Sequence, residues 1–292
     1  MGALKRFFFT LLTLGIVLTL AVIGTVWALN NFTGTGPVTA RCTATAGELG
    51  SHTLAPAQAD SAALITAISQ QRELPARAAT IGIATAMQES KLRNIDYGDR
   101  DSLGLFQQRP SQGWGSAAQV QDPRYATEAF YDVLARIKGY DDMPVTDAAQ
   151  AVQRSAFPEA YAQHEDMART FASALTGHSP AALNCRLHAT TASDMSGLSQ
   201  RLGADFPHVT ARSDETAVTV EVPTATEADN TERALWSIGN WAVAVAETYG
   251  VQAVEVAGQK WTRAEPWTPT KDAKPTEGTT ENRVVISFSA PE

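Results

Sequence analysis

Glu89 closes an apolar, helix-patterned stretch that carries Ile81, Ile83, Ala84 and Met87, and Ser90 follows it directly. A polar loop comes next, then Ser102-Leu103-Gly104-Leu105-Phe106-Gln107-Gln108. One carboxylic acid is thus expected at the rim of a hydrophobic helix, opposite a short Gly-Leu-x-Gln segment. That layout suits a group that protonates a glycosidic oxygen. Such an acid must hold its proton near neutral pH, so its pKa has to rise above the ordinary glutamate value of about 4.3. The negative end of the helix dipole and partial desolvation by the apolar face both favour the neutral form. The plainer reading is a solvated glutamate at a helix terminus, because Glu-Ser pairs are common.

Many glycosidases pair such an acid with a second carboxylate. Asp96, Asp99 and Asp101 lie in the loop after Glu89 and are the candidates. Loop aspartates more often form turns. If none reaches the site, Glu89 acts alone, first giving its proton to the leaving oxygen and then taking one from a nucleophile. A loop aspartate that positions water would instead give hydrolysis. Tyr97 and Trp114 fall in loop positions and are candidates for stacking on sugar faces. Tyr125, Phe130, Tyr131 and Phe171 fall on helical stripes and read as core, while Tyr161 fits either role. The histidines show no ligand spacing and neither cysteine sits in a Cys-x-x-Cys pattern, so no metal and no cofactor is expected.

The elements that hold these residues read as helices. Asp60 is a candidate N-cap for residues 61–73, and Pro75 fits the first turn of the helix that ends at Glu89. Asp122-Pro123 opens a further helix with Ala126, Phe130, Val133, Leu134 and Ile137 inward. Thr146 caps a short one, and Pro158 begins the last, which Gly177 stops. Beyond residue 198 the period changes. Residues 209–222 alternate as a strand, 230–249 form an amphipathic helix, and 251–261 and 283–289 read as strands around a Pro/Thr/Lys loop at 265–280. Trp236 and Trp241 are expected to pack this helix on its sheet, and Trp267 to serve as a contact residue.

Several of these features resemble the lysozyme-like lytic transglycosylase family, whose superfamily includes goose-type lysozymes. They are Glu89-Ser90, the Gly104-Leu105-Phe106-Gln107 segment, the Trp114 loop and the Asp122-Pro123 helix. The resemblance covers residues 60–177. It implies that Glu89 is the catalytic acid/base and that Gln107 lines the cleft, with Phe106 in a position the family fills with Met. Ser102, Trp114 and Tyr97 would be further substrate-binding residues. The family's Ala-Tyr-Asn motif has no exact counterpart at residues 151–156, where Arg154 and Ser155 occupy its places by loose alignment. The resemblance also implies peptidoglycan glycan strands as substrate and cleavage of the MurNAc-GlcNAc β-1,4 bond, by a lytic transglycosylase or a muramidase. The alternative is a wall-binding or assembly scaffold with a degenerate cleft.

Lys5 and Arg6 precede an uncharged apolar run over residues 7–29, long enough at roughly 34 Å to cross a bilayer. The expectation is a single-pass anchor in the cell membrane with the bulk of the chain extracytoplasmic, the rival being a cleaved signal. With the stalk, this anchor resembles membrane-tethered actinobacterial forms of the family. A bridge between Cys42 and Cys185 fits an oxidising compartment, the alternative being two unrelated thiols. Without Lys5 and Arg6, the 23 basic residues fall to 21 against 31 acidic ones. A balance near −10 gives no electrostatic reason to hold nucleic acid. The expected fold is thus α+β and multi-domain: anchor at 1–29, stalk at 30–58, mainly α lysozyme-like domain at 59–186, linker at 187–197, and a small β-α-β-β domain at 198–292. The last carries no chemistry and is expected to have a packing role or to dock a protein partner.

Overall fold

The computed structural model describes residues 39–155, 158–224, 228–270 and 282–290, together with residues 19, 22, 24 and 25. It divides into a unit over Met1–Thr39 and a second over Ala40–Glu292. In the first, Thr19, Val22, Gly24 and Thr25 are helical. The membrane-spanning helix expected over residues 7–29, and the single-pass placement built on it, are corrected here. Among the described residues no helix is long and apolar enough to cross a membrane. A span needs about 20 consecutive residues, and most of 7–29 lies outside the described ones.

The second unit opens with strand β1 (Arg41–Thr45) and strand β2 (Ser51–Leu54), where a stalk was expected. Their inward residues Cys42, Ala44 and Leu54 are buried, and a Thr-rich, short-side-chain sequence pairs here rather than hanging free. Helix α1 (Pro56–Gln71) starts four residues before the expected Asp60 cap, with Pro56 in its first turn. Helix α2 (Ala76–Ser90) follows and is buried continuously from Ala78 to Ala86. A helix apolar on all sides must be surrounded. Around it stand α1, helix α4 (Pro123–Leu134, after the short α3, Ala117–Gln121), helix α5 (Val145–Gln153) and helix α6 (Glu165–Leu175). The helix expected from Pro158 to Gly177 is split, its first part being a 3-10 helix over Pro158–His164. Strand β3 (Leu183–Arg186) then returns to β1 in the order β2-β1-β3. Cys42 lies directly opposite Cys185 in that ladder, and the two form a disulfide.

Residues 187–194, expected as part of a linker, run along the rest of the fold. Leu187 N donates to Arg263 O at 2.9 Å and Asp194 N to Tyr249 O at 3.0 Å. Helix α7 (Met195–Asp205), capped by Asp194, was not expected. The expected strand 209–222 is a hairpin of β4 (Thr210–Ser213) and β5 (Ala217–Glu221), turned at Asp214, whose carboxylate accepts from Thr216 N and Ala217 N. Helix α8 (Ala228–Ala244) and the short α9 (Ala246–Tyr249) come next, ended by Gly250. The expected strand 251–261 is likewise a hairpin, β6 (Ala253–Val256) and β7 (Gln259–Thr262). With β8 (Thr268–Pro269) and β9 (Arg283–Ser287) these make a six-stranded antiparallel sheet in the order β4-β5-β9-β6-β7-β8. Part of the expected 265–280 loop lies outside the described residues. The described fold is therefore nine α-helices and two antiparallel sheets.

Helix α8 sits between this sheet and the helices around α2. On one side Gly239 leaves no room for a methyl, since a Cβ there would stand 2.9 Å from Val256 Cγ1. On the other, buried Asn240 donates to Ala174 O at 2.8 Å and accepts from Leu183 N at 3.3 Å. Ser237 Oγ donates to Leu175 O at 2.7 Å. A buried helix that spends its polar side chains on neighbouring backbone in this way joins the two regions into one core.

Candidate active site

The last turn of α2 carries Glu89 out of the core. Helix propagation stops because Lys91 (φ 58°) and Leu92 (φ 55°) both take left-handed conformations. Such a backbone costs roughly 1–2 kcal/mol per non-glycine residue. Leu92 compensates by burying its side chain completely, and its N–H donates to Ala86 O at 3.0 Å. Ser90 Oγ lies 2.7 Å from Leu105 O and 3.1 Å from Ala86 O, and accepts from Arg93 N at 3.2 Å. The hydroxyl beside Glu89 therefore pins the Gly104-Leu105-Phe106-Gln107 segment to the end of α2.

The segment itself is tightly held. Phe106 is fully buried and stacks on Phe130 with ring centroids 4.7 Å apart. Gln107 takes φ 49°, and its Nε2 donates to Tyr97 O and Gly104 O at 3.2 Å each. Gln108 Nε2 donates to Ala126 O at 2.9 Å, fastening the loop to α4. Across the loop, Asp101 accepts from Arg109 Nε at 2.9 Å and from Ser111 N at 2.7 Å. The backbone N–H of Ser111, then Arg109, hold its carboxyl well below the usual carboxylate range.

Two side chains act on Glu89. Tyr161, fully buried on the 3-10 helix, donates its hydroxyl to Glu89 Oε1 at 2.6 Å. Gln153, the last residue of α5, donates Nε2 to Phe106 O at 2.8 Å and favours the charged form of Glu89. Burial pushes the Glu89 pKa up, and Tyr161 and Gln153 oppose it without cancelling it. Burial first, and then the adjoining Glu89 charge, push the Tyr161 phenol up. Tyr161 therefore stays neutral across the physiological range and acts as a donor. The groups acting on Glu89 include no second carboxylate. Asp96 and Asp99 are exposed on the loop, and Asp101 is occupied by Arg109 and Ser111.

The expected binding residues are distributed as follows. Ser155 is half-buried, and it lowers the Tyr161 phenol pKa against the effects that raise it. Arg154 caps α5 in a left-handed conformation and is exposed. Tyr97 is 70% exposed, with only its carbonyl engaged by Gln107. Trp114 is half-buried against the core, and Ser102 is buried. None of Ser102, Tyr97, Trp114 and Arg154 is among the described partners of the Glu89 carboxyl. Tyr161, which bonds Glu89, and Gln153, which acts on it, were not assigned to the site from sequence. Tyr161 reads from sequence as fitting either core or site, and its distance along the chain from Glu89 hides the pairing. Trp267, expected as an outward contact residue, packs edge-on against Trp236 at 5.2 Å and donates Nε1 to Leu183 O at 2.9 Å. Among the described residues no group of three or more His, Cys, Asp or Glu is placed to hold a metal ion.

A scan against protein-family models finds no match to this chain, and a search of curated proteins finds none either.

Proposed function

We propose that the chain cleaves the β-1,4 bond between muramic acid and glucosamine units of peptidoglycan, with Glu89 as the single acid/base. The observation that carries this reading is the Glu89 carboxyl itself: half-buried, raised in pKa by desolvation, and oriented by a 2.6 Å hydrogen bond from Tyr161. A carboxylic acid that holds its proton more tightly in this way can protonate the glucosamine O4 as the glycosidic bond breaks. The resulting carboxylate then accepts the proton of the muramic-acid 6-hydroxyl as that oxygen attacks C1. The products are a free 4-hydroxyl and a 1,6-anhydro ring, with no water consumed.

Supporting the lytic transglycosylase resemblance, Ser90 joins Glu89 to the Gly-Leu-Phe-Gln segment, and Ala160-Tyr161 supplies an aromatic hydroxyl of the kind the Ala-Tyr-Asn motif carries. The occupation of Asp101 by Arg109 and Ser111 favours the anhydro product over hydrolysis, since it leaves that carboxylate committed elsewhere. Purified protein incubated with sacculi should release muropeptides, and Glu89→Gln should lower that rate by about a hundredfold or more. Product mass decides the chemistry, because an anhydro end is lighter than a hydrolysed end by one water. Glycan binding without release, unchanged in Glu89→Gln, would replace this proposal with a wall-binding scaffold.

A further inference from the structure

One 3-10 helix grips the last turn of α2 at two successive residues. Tyr161 donates its hydroxyl to Glu89 Oε1 at 2.6 Å, and His164 Nε2 lies 3.0 Å from Gln88 Oε1. In a 3-10 helix, residues three apart stand on the same face, so Tyr161 and His164 both project onto α2 from Pro158–His164. Gln163 Nε2 also donates to Gln88 Oε1, at 3.4 Å, and to Ala160 O at 3.0 Å. An amide oxygen only accepts, so the His164 contact requires the imidazole tautomer that carries its proton on Nε2. Burial first, and then Lys91, lower the His164 pKa, which favours the neutral ring at pH 7. Although His164 is the N-cap residue of α6, its side chain makes no capping bond and turns to Gln88 instead.

We propose that Gln88 and His164 are a positioning pair that sets where the 3-10 helix sits on α2, and so aims the Tyr161 hydroxyl at Glu89. A 3-10 helix has poor internal hydrogen-bond geometry, so contacts with its neighbours decide its rotation. The Tyr161 contact alone would leave the helix free to swing about that hydroxyl. The second contact, one turn further on, removes that freedom. The proposal rests on the reading of Glu89 as the acid. It gives a part in orienting the carboxyl to two side chains that are not among its described partners. Lys91 is the charged group that acts on His164, and Tyr161 is the titratable group that faces Glu89.

The test follows the Glu89 carboxyl carbon by NMR across pH. In Tyr161→Phe its titration should move to higher pH, because a donor to the charged form is lost. Gln88→Leu should move it the same way, and should add nothing in the Tyr161→Phe background, where the group it aims is already gone. His164→Ala should repeat the shift, and His164→Gln, which presents a donor in the same place, should restore the wild-type titration. Turnover of Gln88→Leu on sacculi should fall about tenfold, as small misplacements of a reacting group do, with KM unchanged within about twofold. A merely structural role would lower the amount of folded protein without displacing the titration. A folded Gln88→Leu that titrates as the wild type does, or a shift that persists in full beside Tyr161→Phe, overturns the proposal. If Gln88→Leu does not fold, the nitrogen shifts of His164 in the wild type decide: a proton on Nε2 is expected, and one on Nδ1 overturns the pairing. If the titration moves and sacculi are not cleaved, the positioning stands and the proposed activity fails.

Discussion

Glu89 is held in a way that costs stability as pH rises. Burial raises its pKa above the unfolded value, so the folded chain binds its proton more tightly than the unfolded chain does. Stability therefore declines as pH climbs from the ordinary carboxylate range through the raised value. Glu89→Gln, neutral at every pH, should melt at a higher temperature than the wild type at pH 7. The gap should close as pH falls below about 4, near the ordinary glutamate pKa, and thermal unfolding across pH checks this. A constant gap would mean that the carboxyl is not desolvated. At this scale the place of the carboxyl at a helix end was legible and its partners were not. Glu89 ends an apolar run, which is a local pattern. Tyr161 lies 72 positions away and reaches it only because the chain after α5 folds back as a 3-10 helix. Gln153 reads as an ordinary polar helix end, yet its amide bonds the carbonyl of a residue 47 positions earlier.

The loop between α2 and α3 reads correctly as lacking helical periodicity, yet it is closely packed. At Gly98 a Cβ would stand 2.0 Å from Gln107 Oε1 and 2.6 Å from Ser102 O. At Gly104, with φ +76°, it would stand 2.2 Å from Val120 O. Lys91, Leu92, Arg100 and Gln107 add left-handed backbone at non-glycine positions, and such strain gathers where surrounding structure over-determines it. Gly98→Ala should therefore push the Gln107 side chain from its place. The expected cost is about 1–3 kcal/mol of unfolding free energy, the range for forced overpacking, together with weaker glycan binding. Chemical denaturation and a sacculus pull-down measure the two effects, and wild-type behaviour in both would show the loop to be slack. None of this can be read from composition. A glycine's reason for being glycine is the neighbour it meets, and here that neighbour is a side chain nine positions on. The hairpins β4–β5 and β6–β7 escaped for a related reason: each pair shares one alternating run, broken only by a turn at Asp214 or Gly258.

Across the whole of Ala40–Glu292, the two regions expected as separate domains share a buried ionic cluster. Asp205, 1% exposed, accepts from Arg201 Nε at 2.6 Å, from Trp241 Nε1 at 2.8 Å and from the Arg124 guanidinium. Arg201 also reaches Asp60 at 3.2 Å. These residues come from α1, α4, α7 and α8, so the cluster ties the first and last parts of the unit together. Removing one partner of a buried ion pair leaves uncompensated charge, typically costing about 3–5 kcal/mol. Asp205→Ala should be destabilised by that amount in denaturant unfolding. The wild type should unfold in one calorimetric transition, and two separated transitions would contradict the shared core. A linker was expected because residues 187–194 are polar and aperiodic. Backbone hydrogen bonds to Arg263 and Tyr249, strands and helices away, leave no trace in such a stretch.

The indoles of the C-terminal region have one more consequence. Trp261 Nε1 donates to Cys185 O at 3.0 Å and Trp267 Nε1 to Leu183 O, so the β7–β8 hairpin clasps the strand that carries the disulfide. Cutting the gene after that strand would strip both rings from their seats and expose the oily seam beneath them. Recombination therefore has no clean breakpoint there: a shuffled or trimmed half would be sticky, and descendants must receive both halves together.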